Sequence, residues 1–196
     1  MKKNLFLLLL LHCLALSLPA QIIKKPAASN NFSDSLSKIV HDFDGNFIHL
    51  QGAALPPQPD AEIYKSSTCL PAALHCIIYR YHSVQDKTAS WQAIVYSGDN
   101  FDEAMKAYQN IYRQVKKTTV YGIAGKSAAF DGEMQKPDEN VRFAVSSLRL
   151  KTTDAKFRQL AAEIELSNNY DGWEVRLNIF SKKYQAEKEK EKEEDE

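Results

Sequence analysis

The sequence predicts an α+β domain: an antiparallel β-sheet built largely of hairpins, with one long and one short helix packed on one face. Three observations carry that prediction. Phe101 to Lys117 repeats apolar residues at helical spacing, and Phe32 to Phe43 does so over a shorter run. Elsewhere, segments that alternate polar and apolar residues are joined by short polar links, the pattern of hairpins.

The elements follow in order. Phe32, Leu36, Ile39, Val40 and Phe43 place a helix from about Asp34 to Phe43, with Ser33 or Ser35 available as N-cap, and Asp44-Gly45-Asn46 turns the chain. Phe47, Ile48 and Leu50 suggest a short strand ending near Gly52. Ala53 to Glu62 holds Pro56, Pro57 and Pro59 and reads as an extended surface connection. His75 to His82 and Ser90 to Ser97 alternate as two strands about the polar link Ser83 to Ala89.

The helix from Phe101 to Lys117 has the strongest signals. Asn100 is a good N-cap, and Glu103 stands where it can reach back to the Asn100 amide. Phe101, Ala104, Met105, Tyr108, Ile111, Tyr112 and Val115 form one apolar stripe, and Lys116 and Lys117 complement the carbonyls of the last turn. Val120 to Ala124, Val141 to Leu150 and Leu160 to Leu166 read as strands, with a turn-rich stretch around Asp131-Gly132. After Ser167 to Gly172, Trp173, Val175, Leu177 and Ile179 face one way while Glu174, Arg176 and Asn178 face the other.

Domain organisation begins with an export signal. Lys2 and Lys3 precede an apolar run from Leu5 to Leu18, and Pro19-Ala20 lead into polar sequence, the layout of a secretory signal peptide over residues 1–20. Cleavage after Ala20 or after Ser17 fits. A bulky His12 before Cys13 argues against an acylated lipoprotein form. The run is shorter than the roughly 20 residues of a spanning helix, so no integral membrane anchor is expected. The chain is expected to be exported, to the periplasm or outside the cell. Residues 21–31 read as a flexible arm, 32–184 as a single α+β domain, and 185–196 as a charged, disordered tail dispensable to the fold.

Charge excludes one class of partner. The chain carries 25 basic and 25 acidic residues. The tail from Glu187 to Glu196 holds three lysines and seven acids, so the domain before it is close to neutral. Beyond Lys116-Lys117 no basic stripe is present, and nucleic-acid binding is not expected.

Cys69 and Cys76 are the cysteines beyond the signal segment. If Pro71 to Leu74 makes a tight turn, they become neighbours within disulfide range; on one continuous strand or a short helix they stay apart as free thiols. Cys69, His75, Cys76 and His82 lack the spacing of a zinc knuckle, and His75 and Cys76, adjacent on a strand, point to opposite faces. Asp42, Asp44 and Asn46 resemble the start of a calcium loop, but the glycine is misplaced and the distal glutamate is missing; a helix exit and a turn explain them better. Neither a Gly-x-Ser-x-Gly elbow nor a His-Glu-x-x-His run occurs. No catalytic residue, metal ligand or cofactor is expected.

Tyrosine is in excess. Tyr79, Tyr81, Tyr96, Tyr108 and Tyr112 either fill the border of the core or line an aromatic groove between helix and sheet. The expected function is an exported non-catalytic binding or structural domain acting through contact with another envelope or secreted protein, or with itself. The alternative is a small-molecule or lipid carrier with an apolar pocket between helix and sheet.

Overall fold

The structure, a computed structural model, describes residues 31–82, 88–169 and 171–182. The signal segment 1–20, most of the arm, most of the link after His82 and the tail 185–196 lie outside the described residues. The remainder forms one antiparallel sheet of nine strands with two helices, as the sequence predicts.

In chain order the elements are α1 (Phe32–His41), β1 (Gln51–Ala54), β2 (Ala61–Ser66), β3 (His75–Tyr81), β4 (Ala89–Gly98), α2 (Phe101–Lys117), β5 (Thr119–Ile123), β6 (Lys126–Gly132), β7 (Phe143–Lys151), β8 (Leu160–Asn169) and β9 (Gly172–Ser181). The strand order is β1-β2-β3-β4-β9-β8-β7-β6-β5. Four strands meander to the centre. Helix α2 then crosses one face to the far edge, and five more strands meander back until β9 pairs with β4.

The predicted elements stand with four corrections. Asn31, rather than Ser33 or Ser35, caps α1, because its side-chain oxygen accepts from the Ser33 amide at 3.0 Å. Residues 48–50 form a single 3₁₀ turn instead of a strand. Asn46 and Phe47 both have positive φ, and the Asp42 carboxylate holds the turn by accepting from the Leu50 amide at 3.1 Å. The proline-bearing link is shorter than predicted, since β1 reaches Ala54 and β2 starts at Ala61. The stretch after Gly125 is strand β6. It joins β5 through Ala124 and Gly125, both at positive φ as a tight hairpin turn requires.

The core lies between the helices and one face of the sheet. From α2, Ala104, Tyr108, Ile111, Tyr112 and Val115 are buried. They meet Trp91, Ala93, Ile164, Leu166, Val175, Leu177 and Ile179, the inward half of three alternating strands. Phe101 packs on Trp173 with centroids 4.9 Å apart and planes tilted by 56°. Asn100 caps α2 by accepting from the Glu103 amide at 3.1 Å, but Glu103 does not reach back; its carboxylate lies 3.4 Å from the Tyr96 hydroxyl. Helix α1 packs beside β5, with His41 Nε2 2.8 Å from the Tyr121 carbonyl oxygen. Among the described residues no helix is long and apolar enough to cross a membrane.

Cys69 and Cys76 form a disulfide, with Cα atoms 5.5 Å apart. The tight-turn alternative accounts for it. Ala73 donates to the Leu70 carbonyl and Ala72 has φ +64°, so the chain reverses between the two cysteines.

Candidate functional site

The face of the sheet that carries no helix is the distinctive surface. Strand alternation sends every second side chain of β3, β4, β9, β8 and β7 to it, and the register fixes which ones meet. Ile77 lies across from Gln92, Gln92 from Asn178, Asn178 from Glu163, and Glu163 from Ser147, one row over five strands. Beside it run Ile94, Arg176, Glu165 and Val145.

Ile77 is buried and the others are half-buried rather than fully solvated, and the face holds a cleft of about 540 Å³. Its lining includes Tyr81, Ser90, Gln92, Glu163, Arg176, Asn178 and Phe180. That volume lies within the range of about 300–1,000 Å³ typical of small-molecule sites. A smaller hollow of about 330 Å³ sits at the β5–β7 edge between Lys126 and Lys151.

Among the described residues, the charged side chains that line the cleft, Glu163 and Arg176, each have an opposite partner. Arg176 Nη2 is 3.4 Å from Glu165 and donates to Ser167 Oγ at 3.2 Å. Its Nε stands 2.6 Å from Glu174 but is not aimed along a hydrogen bond, so that contact is an ion pair alone. Lys182 Nζ donates to Glu163 at 3.0 Å and to Ser147 at 2.9 Å. Side-chain exposure is 26% for Arg176, 20% for Glu165 and 24% for Glu174, so salt screens these pairs less than open surface pairs. Gln92 Nε2 donates to Asn178 Oδ1 at 2.8 Å.

The five tyrosines do not share one groove. Tyr79 and Tyr81 stack on the helix-free face, centroids 6.0 Å apart and planes 12° from parallel. Burial, then the neighbouring Tyr81, holds the Tyr79 phenol above its ordinary pKa. Tyr108 and Tyr112 are buried on the opposite face, where Tyr108 bonds Ser146 and Tyr112 donates to the Gly132 carbonyl. Tyr96 joins that side because a bulge between Ile94 and Tyr96 shifts it opposite Val175, and its hydroxyl donates to the Asn100 carbonyl at 3.1 Å. The alternation of β3 and the helical stripe separate these residues, and the bulge decides Tyr96.

Gln92, Glu163, Arg176, Asn178 and Phe180 are the site residues that periodicity alone does not identify. For Gln92, Glu163, Arg176 and Asn178 the signal was the polar half of each alternating strand; the apolar Phe180 gave none. Only strand order reveals that these halves adjoin.

Among the described residues no group of three or more His, Cys, Asp or Glu is placed to hold a metal ion. Cys69 and Cys76 are engaged with each other, and His75 stands on the opposite side of β3 from Cys76. Comparison with family models, curated proteins and solved structures finds no match to this chain.

Proposed function

We propose that the protein is an exported, non-catalytic binding domain that recognises its target through the cleft on the helix-free face of its sheet. The observation that carries this reading is the contrast between the two faces. The helix side is filled by Trp91, Tyr108, Leu166 and Leu177, all fully buried. The other side has a cleft of about 540 Å³ with a pre-ordered polar lining. Ordering those groups in advance lowers the entropic cost of binding. The filled helix side gives no support to a carrier with an apolar pocket between helix and sheet. Export is supported by the layout of residues 1–20 and by the Cys69–Cys76 disulfide, a bond favoured in oxidising compartments. The target is an envelope or secreted component, or a second copy of the chain.

The test is native mass spectrometry of protein purified from its own host, wild type beside Gln92→Trp, which fills the cleft. A retained mass that disappears in the folded variant supports the reading. No retained mass, or one that Gln92→Trp leaves in place, overturns it.

A further inference from the structure

Resting on that reading, we infer that the ligand of the cleft is a neutral carbohydrate. Four features of the lining point to this class. The charges are already spent: Arg176 is held by Glu165 and Glu174, and Glu163 by Lys182. An anionic ligand would have to displace a carboxylate from a partly buried pair, leaving that carboxylate without a counter-charge.

The amides are not spent. Asn178 uses Oδ1 to accept from Gln92, and its Nδ2 donates to no group among the described residues. Gln92 keeps a second N–H. These are neutral donors side by side on adjacent strands, suited to vicinal hydroxyl groups, each of which both donates and accepts. A lipid or other purely apolar ligand would desolvate them without replacement, at a cost that rises with each unpaired group.

The third feature is a flat aromatic surface. Tyr81 is 50% exposed and lies parallel to Tyr79, which fixes its orientation. A sugar ring presents a face of C–H bonds with partial positive charge, complementary to the electron-rich face of an aromatic ring. Phe180 offers a second ring in the same cleft. The fourth is size: about 540 Å³, open on one side, admits a short oligosaccharide whose remaining rings extend into solvent.

The experiment titrates chitotriose, maltotriose, cellotriose and, as an acidic control, tri-galacturonate into the full chain, read by calorimetry and by amide chemical shifts. At least one neutral trisaccharide should bind with a Kd of about 1 μM or tighter, tight enough to be retained through purification. Its affinity should change by less than about twofold between about 0.05 and 0.5 M NaCl, since no net charge is recruited. Tyr81→Ala should weaken it about tenfold, whereas Tyr81→Phe, which keeps the ring, should stay within about twofold. Asn178→Ala should cost about fivefold, one hydrogen bond's worth.

Binding of tri-galacturonate alone, strong salt dependence, or indifference to Tyr81→Ala would each overturn the inference. So would failure of all three neutral sugars. If that failure accompanies a retained mass that Gln92→Trp abolishes, the cleft remains the recognition site and only the carbohydrate class falls. If neither is seen, both readings fall together.

Discussion

Tyr108 shows how one residue carries several duties. Its ring is fully buried beneath α2, and its hydroxyl lies 2.5 Å from Ser146 Oγ, which also accepts from the Gln135 amide at 2.9 Å. Tyr108 thus ties the helix to β7 and to the connection before it. Removing the hydroxyl in Tyr108→Phe should destabilise the domain by about 1–2 kcal/mol, measured by urea unfolding. Burial raises the Tyr108 pKa above the ordinary 10.0, with the Ser146 hydrogen bond opposing in part. The folded chain therefore keeps a proton that the unfolded chain releases. That contribution is fully present below the unfolded pKa and is lost as pH rises through the folded one. Tyr108→Phe should consequently lose less stability than wild type as the pH is raised above 10; equal losses would show that other groups set the alkaline limit. The residue-scale clues in the sequence were reliable for apolar periodicity and poor for polar detail. The Glu103 reach-back was legible as a motif, yet Tyr96, delivered by a bulge, takes its carboxylate.

At the scale of elements, α2 was legible because three independent signals agree: a cap, an apolar stripe and a basic last turn. Ile111 sits in the middle of that stripe and is 4% exposed. Ile111→Ala should cost about 2–4 kcal/mol in equilibrium unfolding, and a loss under about 0.5 kcal/mol would mean the helix does not bury this face. Strands β2 and β6 were not legible. Ala61–Ser66 follows a run of prolines, and Lys126–Gly132 follows a turn built on Ala124-Gly125 rather than Asn-Gly or Asp-Gly. The start of the first is read as connection, the second falls in a turn-rich stretch, and only pairing with a neighbour, a tertiary fact, makes them strands. The disulfide belongs to this scale too, because the turn at Ala72 and not the spacing of the cysteines decides it. Non-reducing mass spectrometry should find Cys69 joined to Cys76. Replacing both by alanine should cost about 2–3 kcal/mol, the loop entropy of a short closure. Two freely alkylated thiols in native oxidised protein would contradict the turn.

For the whole molecule, the decisive feature is the seam where β4 meets β9. Strands β1–β4 and β5–β9 are two meanders in sequence, and only this seam makes them one sheet. The cleft depends on it, since Ser90 and Gln92 come from one meander and Glu163, Arg176 and Asn178 from the other. This is why the site was legible in its parts and not as a site: alternation gives each strand a polar face, but nothing local states that β9 returns to β4. The seam is well built, with seven residue pairs despite its bulge, and Trp91, Ala93, Leu177 and Ile179 are fully buried beneath it. The outer edges are weaker. Strand β1 has four residues and an irregular register, whereas β5 is sheltered by α1 through His41 and Tyr121. Native-state hydrogen exchange should therefore rank β4, β8 and β9 as the most protected strands and β1 as the least. Ala93 and Leu177 should open with the same free energy and denaturant dependence, because breaking the seam exposes the core on both sides at once. If β1–β4 instead exchanges as a separate unit, with a lower opening energy than β5–β9, the meanders are independent. The cleft would then assemble only when they dock, and its ligand should raise the protection of β3 and β4 by more than that of β8.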